Sequence, residues 1–369
     1  MTRKPKGSRF FVVLLCFFGL SFSHSQDVLL NGLHNSSEKK GRVATRETKN
    51  PSLVGSAIKL EKAEENLSTK TIVSNSFQWN ADSKSLETQF GYANEFVPEN
   101  KEGSNQNNKK LAQYWFSLGL YLARSGLLKE AIKAYQESIK IYPEYYQAYN
   151  NMGICYRKLN LYDEAITAYM HAIKIKPDYA EAYYNCGIAY AQLGKMSEAR
   201  FAYEKAIEFK PDYPEAYLNL GLLLANHGLY DEAISKYDKA IKLKPDFPEA
   251  YYNFGIIKAS LGLYKEAIEA YKKAIKLKPD FAEAYNNMGN AYAALGMTSE
   301  EINSYKTAIL LKPDFAEAYY NLGLAYLSLG DKISALKQYE ILKSLDQDKA
   351  LDLYWIIRRV DQEEEKLKD

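Results

Sequence analysis

The chain has few of the residues that most often carry chemistry. Four histidines and three cysteines stand among its 369 residues. Past the first 25 residues the histidines are His34, His171 and His227, each isolated, and no Cys or His pair has metal-ligand spacing. A glycine-rich phosphate loop and a nucleophile motif are missing from the sequence as well. No metal, cofactor or catalytic residue is expected, so the sequence disfavours an enzyme. Cys155 and Cys186 are too few for a disulfide framework at this length. Both fall at helix packing positions, and a bridge between them stays open in an oxidising compartment.

An excess of charge of one sign is also lacking. Lys+Arg number 48 against 46 Asp+Glu, and the one dense block is the terminal "DQEEEKLKD". A sequence-independent grip on phosphates has nothing to rest on, which removes nucleic acid as an expected partner. Long apolar runs are confined to Phe10–Phe22, 13 residues preceded by Arg3, Lys4, Lys6 and Arg9 and followed by Ser23 and Ser25. A spanning helix needs ~20 residues, so residues 1–25 read as a secretory signal peptide cut before Gln26. The mature chain is then expected to be exported, periplasmic or secreted, with Lys+Arg reduced to 44 and a net charge near −2. Membrane contact is expected only if this segment is kept as an anchor. A lipoprotein site at Cys16 is opposed by the bulky Leu15 and the apolar residues that follow it.

What the sequence does have is globular composition, 47% hydrophobic and 25% charged, with 32 tyrosines. Residues 26–111 show no sustained period and read as a mostly disordered or weakly structured extension, with apolar islands at Ser76–Trp79 and Phe90–Val97. From Ala112 a 34-residue period takes over, marked by Gly119, Gly153, Gly187, Gly221, Gly255, Gly289 and Gly323. An aromatic stands four residues before each glycine, from Trp115 to Tyr319. Tyr135, Tyr169, Tyr203, Tyr237, Tyr271, Tyr305 and Tyr339 recur later in each unit, and prolines from Pro143 to Pro313 close six of them. Aromatic and glycine share a helix face at this spacing, so each first helix carries a notch that admits a neighbouring backbone. A Leu-Gly or His-Gly pair then ends that helix through positive φ. No unit can bury its apolar face alone, so the units must stack.

Across residues 112–349 this resembles the tetratricopeptide repeat family. The resemblance implies an all-α fold: a right-handed superhelical α-solenoid of seven helix-turn-helix units, whose first helices line a concave surface. Residues 350–369 read as a C-terminal capping helix, with Leu353, Ile356, Ile357 and Val360 at the packing positions and Arg358 and Arg359 facing away. Repeat six departs from the pattern, with Glu301 in place of the small alanine of the second helix, a substitution expected to loosen that seam.

Counting Ala112 as position one, Asn151, Asn185, Asn219, Asn253, Asn287 and Asn321 all take position 6. On a helical wheel that is ~200° from the aromatic at position 4, off the packing seam. Position 2 is Gln or Glu, position 5 contributes Tyr184, Tyr252 and Tyr320, and position 9 is aliphatic except for Asn290. The row is similar to the asparagine ladder in the repeat domain of the O-linked N-acetylglucosamine transferase family, which implies a grip on the main chain of an extended peptide. The catalytic half of that family has no counterpart here. Six such bonds at ~1 kcal/mol each barely reach micromolar binding. Asn290, Tyr184, Tyr252 and Tyr320 are therefore expected to supply specificity for a partly apolar protein segment, with Trp355 at the ladder position of the capping helix. A carboxylate clamp is not expected, since positions 2 and 5 hold no cation. Lys174, Lys176, Lys210, Lys242, Lys244, Lys276, Lys278 and Lys312 near the ends of second helices are expected to complement helix dipoles and keep an outer edge soluble. The sequence therefore points to a non-catalytic protein-interaction adaptor with a peptide-binding groove. The alternatives are a structural scaffold of an envelope or secretion assembly acting through its outer surface or self-association, and a groove occupied by the chain's own extension.

Overall fold

A computed structural model describes residues 101–366, with side chains from 106 to 362. The signal-like run and the rest of the chain before Lys101 lie outside the described residues. Among the described residues there are fifteen helices and no strand, and they divide into two compact units between Pro211 and Asp212.

The first unit holds α1 (Lys101–Arg124), α2 (Leu128–Ile141), α3 (Tyr146–Lys158), α4 (Tyr162–Ile175), α5 (Ala180–Gln192) and α6 (Met196–Phe209). The second holds α7 (Pro214–Asn226), α8 (Tyr230–Leu243), α9 (Pro248–Ser260), α10 (Tyr264–Leu277), α11 (Ala282–Ala294), α12 (Thr298–Leu311), α13 (Ala316–Ser328), α14 (Lys332–Leu345) and α15 (Gln347–Lys366). Odd-numbered helices up to α13 are the first helices of the seven repeats. Within each unit they pair with the helix that follows and stack on the next pair, the arrangement of an α-solenoid. One boundary differs from expectation. α1 begins at Lys101, so eleven residues assigned to the extension continue the helix that Ala112 onward anchors.

The glycine of each first helix has a specific occupant, and it is a ring rather than the backbone that the sequence suggested. A Cβ on Gly119 would stand 2.5 Å from Tyr135 Cε1, and one on Gly255 would stand 2.6 Å from Tyr271 Cε1. The same close approach recurs at Gly153, Gly187, Gly221 and Gly289. The six tyrosines that fill these notches are at most 1% exposed. Each notch therefore locks the two helices of one repeat face to face with a flat, rigid side chain. Repeat seven is different. A Cβ on Gly323 would stand 2.6 Å from Leu353 Cδ2 of α15, and Tyr339 instead lies half-buried with its ring 5.4 Å from that of Tyr354.

Helix ends follow the expected turn chemistry. Gly262 has φ +76°; its N–H donates to the Ala259 carbonyl at 2.9 Å and the Leu263 N–H reaches back to the Lys258 carbonyl at 2.8 Å, closing the first helix of its repeat by a Schellman turn. Asn160, φ 61°, takes that place in repeat two, where an asparagine tolerates the left-handed conformation. In α15, Ala350, Leu353 and Ile357 are buried while Arg358 and Arg359 are exposed. Lys332 ties it to α14 through Asp361 at 2.6 Å. Glu301 lies 5% exposed where the other six repeats bury an alanine completely, and burial pushes its carboxyl up to about 7.

Candidate functional site

The first-helix amides do not stand alone. Asn185 Nδ2 donates to Asn150 Oδ1 at 3.0 Å, Asn287 Nδ2 to the Tyr252 hydroxyl at 3.0 Å, and Asn321 Nδ2 to Asn286 Oδ1 at 3.1 Å. All three bonds join position 6 of one repeat to position 5 of the repeat before, 35 residues earlier. They form rungs across the junction between successive first helices. The acceptors Asn150 and Asn286 are 4% and 1% exposed, a burial that polar side chains tolerate only when hydrogen-bonded.

This corrects the placement of the asparagine row. Position 6 was expected off the seam, yet Asn185 and Asn253 are both 8% exposed. Asn151, Asn219, Asn287 and Asn321 are half-buried, and Asn290 is exposed. A helical wheel treats a helix as isolated, whereas in the stack position 6 faces position 5 of the preceding first helix. Tyr252 is a second correction. It is 6% exposed, with its ring 4.6 Å from Phe281 and 6.0 Å from Tyr271, and burial raises its hydroxyl well above the usual tyrosine range. It packs the core and holds a rung rather than meeting a ligand. Tyr184 and Tyr320 remain half-buried on the row, Tyr184 with its ring 6.1 Å from Tyr203.

The polar groups converge most densely in repeats five to seven. Asn290 Oδ1 accepts from the Tyr305 hydroxyl at 2.7 Å and from Asn321 Nδ2 at 3.2 Å. Both bonds end on its carbonyl oxygen, and the residue is exposed. Asn286 Nδ2 lies 3.4 Å from both Asn287 Oδ1 and Glu317 Oε1. The contribution of Tyr305 escaped the sequence reading, although the lone Asn at a position otherwise aliphatic was the available signal. In repeat four the same spacing sets Tyr237 against Leu222, and the Tyr237 hydroxyl is buried with no partner.

The lysines at the repeat ends belong to the framework. Lys244, Lys278 and Lys312 sit 4.4–4.7 Å from the rings of Phe247, Phe281 and Phe315, a favourable cation–π placement. Lys244 also reaches Glu215 at 3.3 Å, Lys312 reaches Glu283 at 3.2 Å, and Lys210 lies 3.9 Å from Glu181. Three of the position-2 carboxylates are thus neutralised locally. Cys155 and Cys186 are free and buried in separate apolar clusters, and burial raises their thiols to about 11 and about 12. Among the described residues no group of side chains is arranged to hold a metal, and no helix is long and apolar enough to cross a membrane.

Comparison with known families agrees with this geometry. The family model described as "TPR repeat" matches residues 155–194, 189–228, 227–262, 257–296 and 300–330. Models described as "Tetratricopeptide repeat" match 112–145, 134–167 and 316–349. The chain is a tetratricopeptide repeat protein. A tetratricopeptide repeat protein from Parabacteroides merdae shares the fold at 18% identity, with a TM-score of 0.53 over 68% of this chain and 99% of that one. The pilF protein of Pseudomonas aeruginosa does so at 17% identity and TM-score 0.51, covering 57% and 96%. MamA is 30% identical, with a TM-score of 0.42 over 47% of this chain and 94% of its own. No curated protein matches the chain significantly.

Proposed function

We propose that the chain is a non-catalytic adaptor, exported from the cytoplasm, whose first-helix face holds an extended and partly apolar protein segment. Tetratricopeptide repeats throughout residues 112–349 support a protein-interaction role. The observation that carries the reading further is the amide cluster at Asn287, Asn290 and Asn321. These side chains are already oriented by hydrogen bonds within the protein, so a bound main chain meets donors and acceptors whose freezing costs little further entropy. Asn219 and Tyr320 extend this contact surface within the second unit, and Asn151 and Tyr184 offer half-buried contacts of the same kind within the first. Asn253 in the second unit and Asn185 in the first are buried and serve the face of their own unit as supports.

The test is a pull-down from the exported fraction of the source organism, comparing the full chain with a variant carrying Asn287→Ala, Asn290→Ala and Asn321→Ala. A partner captured by the native protein and lost by the variant is the expected result. Partners retained equally by both would sink the proposal. The scaffold alternative draws on one observation, the exposure of Leu310 at 80% and Ile333 at 71% on second helices, where the other repeats carry charged or polar residues. Mass that rises with concentration in light scattering and falls on Leu310→Lys with Ile333→Lys would favour it.

A further inference from the structure

The capping helix breaks the chemistry of the row it continues. Counting Ala350 as its first position, α15 carries Leu351 at position 2 and Trp355 at position 6, where repeats three to seven carry Glu and Asn. Both are exposed, Leu351 at 54% and Trp355 at 65%, while Ala350, Leu353 and Ile357 on the same helix are at most 2% exposed. Leu351 and Trp355 are four residues apart and share one stripe. The rung relation that joins Asn321 to Asn286 assigns Trp355 to Tyr320. Tyr320 is half-buried and packs against the cluster that Leu353 and Ile357 complete. Trp355 is further fixed by an edge-to-face contact with Tyr354, ring centroids 5.6 Å apart. By that register an aromatic pair takes the place of an amide pair, at the end of the second unit where the oriented amides are densest.

We propose that Tyr320, Leu351 and Trp355 form an apolar subsite for one aromatic or large aliphatic side chain of an extended protein segment, whose main chain lies on Asn290 and Asn321. This rests on the peptide-binding reading above and names the residue class that it selects. The occupant follows from the juxtaposition. Half of the site is an exposed indole and leucine, which gain by desolvation, and half is amides that pair with a main chain whatever its sequence. A purely apolar occupant would desolvate the Asn290 Nδ2 and Asn321 Oδ1 groups, which those internal bonds do not use, without offering them a partner. Such a segment meets both halves at once.

The experiment selects a random peptide library displayed on phage against the full chain, then measures binding of the enriched peptide, synthesised with a fluorescent label, by anisotropy. The variants are Trp355→Ala, Trp355→Phe, Leu351→Ala and the pair Asn290→Ala with Asn321→Ala, each checked for native helicity. Expected are enriched peptides sharing one aromatic or large aliphatic residue, an affinity loss on the order of 30-fold in Trp355→Ala, a smaller loss in Leu351→Ala and partial rescue in Trp355→Phe. Loss in the asparagine pair with none in Trp355→Ala would overturn the subsite and leave the peptide-binding reading standing. A library that enriches nothing would overturn both. A self-association abolished by Trp355→Ala, with no peptide enriched, would give the platform to a second copy and likewise refute the proposal.

Discussion

Replacing Glu301 should stabilise this protein, and the gain should depend on pH. The carboxyl is 5% exposed, and burial raises it from 4.5 to about 7. Between those values the folded chain binds more protons than the unfolded one, so stability contributed at this site is greatest at low pH and is lost as pH rises through about 7. At 1.36 kcal/mol per unit the full difference corresponds to about 3 kcal/mol; discounting for residual water access leaves about 2 kcal/mol at pH 8. Glu301→Gln removes the charge and keeps the volume. Glu301→Ala restores the residue that six other repeats bury at this position. Both should raise the protection of α12 amides in hydrogen exchange, and the melting temperature, at pH 8, and the advantage should shrink towards pH 5. Exchange is the better assay because repeat arrays open locally rather than as a whole. A gain in Glu301→Gln that is equal at both pH values, or a loss at pH 8, would refute the assignment of the cost to a buried charge.

The notch predicts the opposite outcome for a nominally helix-favouring change. Gly255→Ala gains up to ~1 kcal/mol of helix propensity but drives a Cβ to 2.6 Å from the Tyr271 ring, so a net loss of about 1–3 kcal/mol is expected in denaturant unfolding. Asn185→Ala should cost about 1–3 kcal/mol by leaving buried Asn150 without its donor, and the double variant Asn150→Ala with Asn185→Ala should cost less than the sum of the singles. Cys155 and Cys186, buried with thiols raised to about 11 and about 12, should resist a disulfide-exchange reagent at pH 8 until denaturant is added; rapid labelling of the native chain would contradict their placement.

The repeat architecture was legible because its signals are local and periodic. A glycine, an aromatic four residues earlier and a tyrosine sixteen residues later state a helix pair without reference to anything distant. Helix ends were legible for the same reason wherever a glycine marks them, whereas the Asn160 turn of repeat two was found only in the structure. The side that a neighbour would cover was not. Position 6 looks free on a single helix, and only the preceding repeat, whose Asn150 stands 35 residues earlier, turns Asn185 into a rung. Tyr252 was misplaced by the same blindness, since its exposure depends on Phe281 at the end of its own repeat and on Asn287 in the following one. The cation–π seats of Lys244, Lys278 and Lys312 are local, three residues from their rings, and the "KPDF" motif could have suggested them.

Repeat seven borrows its lock. In the other six repeats the ring that fills the glycine notch comes from the same unit, so each hairpin is a closed module, and duplicating or deleting one in register leaves that fit intact. Gly323 is filled from α15 by Leu353 instead, which makes repeat seven and the cap a single indivisible part. A shortened form cut after Leu345 would open the notch and expose the faces that Ala350, Leu353 and Ile357 cover. One cut before Ala316 would end on a unit whose own tyrosine, Tyr305, still closes it. The smallest removable piece at this end of the protein is therefore not one repeat but a repeat and a half.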